Sequence, residues 1–181
     1  MTSLSFDDAP SWVAARLAAL GPGTRWIGVD GLGAAGKSTL AARIAAVVSG
    51  SVVVAIDHFS RAALREWDHD LFVSQVVEPL QAGRPGRYQR WDLETDRGQD
   101  WAEVPVGRPV IVEGVSSTDL RLPIPWDVRL WVEVPESVRR SRIVERDPAA
   151  LLDRWRTDWW PSEAQYVRTQ HPQSRADAIV R

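Results

Sequence analysis

The sequence predicts one α/β domain, a parallel sheet covered by helices on both faces. Two observations carry that prediction, and a third places a ligand on it. First, short apolar runs recur at 26–30, 51–56, 110–113, 128–134 and 178–180, with helix-like stretches between them. Strands buried on both faces read as near-continuous hydrophobic runs, and alternation with helices implies right-handed parallel crossovers. Second, 181 residues at 44% hydrophobic and 25% charged suit a single soluble domain with a full core. Third, a glycine-rich turn joins the first apolar run to the next helix, at the strand end where parallel sheets bind ligands.

Each element has its own signal. Residues 10–20 read as a helix with Trp12, Val13, Leu17 and Leu20 toward one side. Gly21-Pro22-Gly23 stops it. Residues 37–48 form the helix after the glycine-rich turn. The run Ser-Val-Val-Val-Ala-Ile at 51–56 is β-branched and reads as a strand. Residues 70–82 look helical, with Pro79 expected to kink or end the helix. Residues 83–109 are rich in Gly, Pro, Arg and aromatics and show little periodicity, so a long irregular excursion is expected there. Residues 137–146 form a strongly basic helix, and 151–160 and 162–169 read as two more helices. No repeat, heptad run or low-complexity tract interrupts the pattern.

Composition excludes several classes. A net charge of -2 gives no electrostatic case for nucleic acid or an anionic membrane. With no cysteine, disulfides and thiolate metal sites are ruled out. The apolar runs are too short to span a bilayer. Residues 1–10 carry two acids and no basic region, so no secretory signal is expected and the cytoplasm is the default location. Of 22 Lys and Arg residues only Lys37 is lysine. A lone lysine in so arginine-biased a chain marks a place that arginine cannot fill. The ten tryptophans are read mainly as packing residues.

Gly31-Leu-Gly33-Ala34-Ala35-Gly36-Lys37-Ser38 fits the phosphate-loop pattern G-x-x-x-x-G-K-[ST]. Glycines let successive backbone N–H groups turn around phosphates, and the next helix offers its positive N-terminal end. Lys37 should reach the β- and γ-phosphates, the Ser38 hydroxyl should ligate Mg²⁺, and Thr39 completes the turn. The same residues also spell the dinucleotide fingerprint G-x-G-x-x-G, with Asp57 near the ribose-binding position. The Lys-Ser pair has a specific role only in the phosphate-loop reading. A guanine-reading N-K-x-D motif is impossible with one lysine, and no LSGGQ-like signature is present, so a metabolic kinase is favoured over a switch or transporter.

Asp57 ends the second strand, and Glu113 ends the third. Asp57 suits a base for a substrate hydroxyl or a metal ligand, against the plainer role of a helix cap. Glu113 suits an acid holding Mg²⁺ through water. Arg139, Arg142 and Arg146 form either a phosphate-contacting face or a solvated basic one. Tyr88 and Trp91 could stack on a base or pack the excursion. Trp155 and Trp159, at i,i+4, read as helix packing.

The runs IGVDGLGAAGKSTLA, AIDHFSR, EWDHDLF and VIVEGV, followed by the arginine helix, resemble the uridine kinase family of phosphate-loop kinases. Phosphoribulokinase and pantothenate kinase are relatives of that family. The resemblance covers residue 26 to about residue 147. It implies a three-layer α/β/α fold with a five-stranded parallel sheet, order 2-3-1-4-5, and a small lid. The whole chain, 1–181, would be one kinase domain, with 58–109 an acceptor-binding insert and 137–160 the lid and following helix. It implies that Asp57 is the base for the 5′-hydroxyl, that Asp68 grips ribose hydroxyls, and that Trp67 lies near the nucleoside. Arg139, Arg142 and Arg146 would serve phosphate and substrate from the lid. The tyrosine usual after D-x-F in the family is Ser60 here, and the segment from Arg87 to Asp92 does not align cleanly with the family's base-reading segment. The expected activity is transfer of the γ-phosphate of ATP, with Mg²⁺, to a small-molecule hydroxyl, a pyrimidine nucleoside first. The alternatives are a non-nucleoside alcohol, an NTP-binding regulatory module, and a dinucleotide-binding oxidoreductase.

Overall fold

The computed structural model describes residues 2–61, 64, 66–92 and 95–181. The chain opens with β1 (Thr2–Leu4) and α1 (Ala9–Leu20), then runs β2 (Arg25–Gly31), α2 (Lys37–Val47) and β3 (Val52–Ala55). A 3₁₀ turn, Ile56–Phe59, leads to a helix over 69–81. The hairpin β4 (Gly86–Asp92) and β5 (Arg97–Val104) precedes β6 (Pro109–Glu113) and β7 (Val128–Val132). The arginine helix Glu136–Arg146, a long helix over 149–170, a short helix Pro172–Arg175 and β8 (Ala178–Val180) complete the chain.

The main sheet is six-stranded and parallel, in the order β1-β8-β7-β2-β6-β3. The expectation of five strands is therefore corrected, and with it the order across the whole sheet. Thr2–Leu4 adds an edge strand beyond β8, in register with Ala178–Val180. Three residues of low apolar content carry no strand signal of their own, and only pairing with β8 makes them one.

Side chains alternate across the sheet with period two. Ile27, Val29 and Ile111 face one core with Val13 and Leu17 of α1 and Leu40 and Ile44 of α2. Trp26, Val110 and Val112 face a second core with Phe59, Phe72, Val76 and Tyr88. Trp131 and Ile179 meet Tyr166 of the long helix in a third cluster. Both sheet faces are thus covered, which gives the three layers.

Two further expectations change. The stretch 83–109 contains an ordered antiparallel hairpin with an irregularity between Gln89 and Trp91. Its inward face is Gly86, Tyr88, Ala102 and Val104, while its outward face carries Arg87, Gln89, Glu103 and the exposed Trp101. Half of that inward face is Gly and Ala, so little apolar alternation appears in the sequence. Pro79 also does not end its helix. A π turn, Val73–Val77, widens the ladder just before it, and Glu78 donates to the Val73 carbonyl. Pro79 then sits in the first turn of renewed α-helix, where its missing donor costs least. The same device joins the two helices expected at 151–160 and 162–169 into one run. There the π turn is Trp155–Trp159, and Pro161 lies at the start of the next turn.

Candidate active site

The glycine-rich turn leaves the carboxyl end of β2 and enters α2 at Lys37. Gly36 has φ +97° and Ala34 φ +59°, so the backbone winds through left-handed positions and turns successive amides inward. Gly33 is required for a different reason. A Cβ there would lie 2.4 Å from the Trp155 ring and 2.9 Å from Glu163 Oε1. The loop is clamped from above by the arginine helix and the long helix. Glu163 accepts the Gly33 N–H at 2.6 Å, Arg139 Nη1 donates to the Gly33 carbonyl at 3.2 Å, and Arg142 Nη1 donates to the Ala34 carbonyl at 3.0 Å. Arg139 also faces Glu163 at 3.6 Å. Burial pushes the Glu163 carboxyl up, with the Gly33 N–H and Arg139 opposing.

Beneath the loop lies Asp30, at the end of β2. It accepts five hydrogen bonds, from the amides of Gly31, Ser116 and Thr118 and from the hydroxyls of Thr118 and Tyr166, at 2.6–3.1 Å. Burial pushes its carboxyl up and those donors pull it back. Asp30 thereby ties β2, the loop after β6 and the long helix together under the phosphate loop.

Lys37 is buried, with Nζ 3.0 Å from the Leu32 carbonyl. Burial lowers its pKa, and the nearby charges of Asp57 and then Glu113 raise it. Ser38 Oγ donates to Glu113 Oε1 at 3.0 Å. Burial and the charge of Asp57 push Glu113 up, while Lys37 and Ser38 oppose. Asp57 stands exposed on the 3₁₀ turn after β3. Asp57, Lys37, Ser38, Thr39, Glu113, Arg142 and Arg146 all line one open cavity of about 1180 Å³. Arg146 pairs with Asp147 at 2.5 Å.

The acceptor residues expected from the sequence divide. Trp67 lines the cavity, buried, with Nε1 donating to Ser116 Oγ at 3.0 Å and one face stacked on His69. Asp68, Tyr88 and Trp91 do not line it. The Asp68 carboxylate caps the next helix by accepting the Leu71 N–H at 2.9 Å. Tyr88 is core, 5.0 Å from the Phe59 ring. Trp91 lies under the Arg61 guanidinium and donates to Asp96 at 3.0 Å. Trp155 and Trp159 pack edge to face at 4.8 Å, as their spacing implies, and both border the cavity. Sequence reading missed Glu163, Asp30, Glu66, Asp119 and Arg121. The last two follow β6, and their position beyond a strand's carboxyl end was the one available signal.

The residues present fit a nucleotide with its cation. A cradle of inward amides, one buried ammonium and one hydroxyl paired to a carboxylate match phosphates with Mg²⁺. Such a cation takes few protein ligands and completes its shell with phosphate oxygens and water. Among the described residues no cluster of three or more His, Asp or Glu could hold a metal alone.

No family model matches this chain, and no curated protein matches it. Solved structures do. A Bacillus stearothermophilus protein named as a "possible uridine kinase" superposes with a TM-score of 0.75 over 97% of this chain and 98% of its own, at 20% identity. A Silicibacter sp. TM1040 protein named as a "putative fructose transport system kinase" gives 0.70 over 98% and 99%, at 21% identity. The chain shares the fold of both proteins. Because β2, β3 and β6 run parallel, the clamped loop, Asp57 and Glu113 share one end of the sheet. Among the described residues no helix is long and apolar enough to cross a membrane.

Proposed function

We propose that this chain transfers the γ-phosphate of ATP to the hydroxyl of a small molecule, the 5′-hydroxyl of a pyrimidine nucleoside being the first acceptor to test. The observation that carries the reading is the grouping of Lys37, Asp57 and the Ser38–Glu113 pair at one wall of one cavity. An exposed carboxylate beside the loop suits a base for an acceptor hydroxyl. An apolar cleft of about 700 Å³, with Val134, Pro135 and Val138 in its wall, shares Phe6 and Arg142 with the main cavity. Its place beside the loop, opposite Asp57, suits the purine base and leaves the Asp57 side to the acceptor.

The chemistry follows from the side chains. The amides from Gly33 to Thr39 and the Lys37 ammonium would hold the phosphates, and Ser38 and Glu113 would hold the cation. Bound Mg²⁺ supplies neutralisation of the charge on the transferring phosphoryl group. Asp57 orients the acceptor hydroxyl and takes its proton as the new oxygen–phosphorus bond forms and the bond to the bridging oxygen breaks, releasing ADP. Arg142 and Arg146 add positive charge from the lid side. Arg139 is buried against Gly33 and Glu163, which makes it a clamp on the loop in this conformation.

A non-nucleoside alcohol is the second reading. The burial of Tyr88 and the placement of Trp91 outside the cavity favour it, because both stacking candidates are then lost. The deciding experiment is a coupled ADP-release assay across nucleosides, sugars, pantothenate and hydroxylated antibiotics. Acceptor-dependent ADP release supports the kinase. ATP turnover indifferent to every alcohol would leave a slow NTP-binding module, and NAD binding without Mg-ATP binding would leave an oxidoreductase.

A further inference from the structure

The cavity wall beside Trp67 carries a charged cluster that no role above uses. Asp119 and Arg121 come from the loop after β6, and Glu66 comes from the segment between β3 and the helix over 69–81. All three line the cavity beside Trp67 and Ser116. The Asp119 side chain is wholly buried. It accepts the Arg121 backbone N–H at 2.8 Å, Nε at 3.0 Å and Nη2 at 2.8 Å. The same Nη2 reaches Glu66 Oε2 at 2.7 Å and lies 3.1 Å from His69 Nε2. The guanidinium is therefore fixed along one edge while its side chain is 54% exposed. Among the described residues its Nη1 has no partner, and neither has Oε1 of Glu66.

A fixed donor beside a free acceptor is a particular kind of surface. A hydroxyl both donates and accepts, so two adjacent hydroxyls match the pair, one accepting from Nη1 and the other donating to Oε1. The entropy of ordering a long arginine is already lost in the free protein, which favours binding. The charge of the cluster argues against an anion. Arg121 faces two carboxylates, so a phosphate or carboxylate on the ligand meets no net positive charge. The ring of Trp67 offers little to stack on, since it is 7% exposed with His69 at 3.8 Å on one face. This wall reads hydroxyls.

The geometry points to Arg121 and Glu66, held in place by Asp119, as a clamp for a vicinal diol on the phosphoryl acceptor. Naming the ligand an acceptor rests on the kinase reading; the diol clamp itself does not. The diol can belong to the ribose of a nucleoside or to a free polyol, and both present the same chemistry. The clamp takes the role that the family resemblance gives to Asp68, whose carboxylate is committed to a helix cap.

The test is calorimetric titration of the full chain, with Mg²⁺ and a non-hydrolysable ATP analogue present, using two matched pairs. Uridine is set against 2′,3′-dideoxyuridine, and ribitol against 1,5-pentanediol. At least one vicinal-diol compound should bind, and its partner lacking the vicinal diol should bind at least tenfold more weakly. Arg121→Met and Glu66→Gln should each weaken the diol compound at least tenfold and leave the affinity for the ATP analogue unchanged. Arg121→Lys should fail like Arg121→Met, because an ammonium cannot keep the two-edged geometry. Preference for uridine identifies a ribose, and preference for ribitol a free polyol. Equal binding within both pairs, binding of neither pair, or wild-type diol affinity in both Arg121→Met and Glu66→Gln would overturn the clamp. Diol binding with no acceptor-dependent ADP release would leave the clamp standing and remove the kinase reading.

Discussion

The two walls of the cavity are built by different means. The wall proposed for phosphate is backbone: the loop of Gly31 to Thr39, held by Glu163 on one amide and by Arg139 and Arg142 on two carbonyls. The wall proposed for the acceptor is side chains from two loops, with Glu66 meeting Arg121 across 55 residues of sequence. A backbone cradle has to be contiguous, so its glycines, lysine and serine stand together in the sequence. A side-chain wall has no such constraint, and nothing local advertises it.

The sharpest way to break this comparison is at the junction of the walls. Asp57→Asn keeps the shape and removes the proposed base, so acceptor-dependent turnover should fall by roughly 10²–10⁴-fold. ATP affinity, read by calorimetry, should hold. Retained turnover would take Asp57 out of the mechanism, and lost ATP binding would make it part of the phosphate wall. Lys37→Ala should lower turnover by roughly 10²–10³-fold, the cost of one missing donor to the developing charge. Lys37 is also the only lysine. A lysine-directed reagent should therefore inactivate the protein unless Mg-ATP protects it.

Gly33→Ala tests whether the clamp and the loop form one unit. The added methyl group meets the Trp155 ring at 2.4 Å. Overpacking of this kind costs about 1–3 kcal/mol. Thermal unfolding should show the loss, and ATP affinity should fall with it. Unchanged stability and affinity would mean that the long helix moves away freely, so that the clamp does not hold the loop.

These residues also show where sequence reasoning stops. The phosphate loop, Asp57 and Glu113 were legible because each lies at a strand's carboxyl end, and a strand of β-branched residues announces its own end. Glu163 was not legible. It is one acid on an amphipathic helix, and its burial depends on the long helix folding back over Gly33. Tyr88 misleads in the opposite direction. An aromatic between arginines looks available for stacking, yet hairpin alternation turns it into the core beside Phe59 and Phe72. The π turns before Pro79 and Pro161 likewise leave no trace in hydrophobic periodicity, which takes proline as a stop.

A smaller effect separates the acceptor wall by its response to acid. Burial pushes the Asp119 carboxyl up, but contacts with His69 and Arg121 outweigh burial and hold it well below its ordinary 3.8. A depressed folded pKa stabilises the fold above the unfolded value and loses that contribution as pH falls through the folded one. Asp119→Asn should therefore cost about 1.5 kcal/mol at pH 7, the lower end for a charged hydrogen bond because Arg121 is half-exposed. Urea unfolding should show the gap between wild type and variant narrowing as pH drops below 3.8. A gap independent of pH would mean that Asp119 contributes shape alone.

The smallest expected effect decides which acid belongs to the acceptor wall. Asp68 accepts the Leu71 N–H at 2.9 Å and does not reach the cavity lining. Losing such a cap costs about 1 kcal/mol, whereas asparagine caps as well as aspartate. Asp68→Ala should thus lower stability by that amount, and Asp68→Asn should leave it unchanged. Neither should alter the acceptor KM, because the helix over 69–81 is anchored by Phe72, Val76 and Val77 in the core and keeps its place when the cap is lost. An acid that grips ribose behaves in the opposite way. Its charge is what the hydroxyls bind, so Asp68→Asn would raise the acceptor KM while stability stayed the same. Measuring unfolding and acceptor KM for both variants distinguishes the two. A raised KM in Asp68→Asn would return Asp68 to the acceptor wall and would require the loop carrying it to turn inward when the acceptor binds.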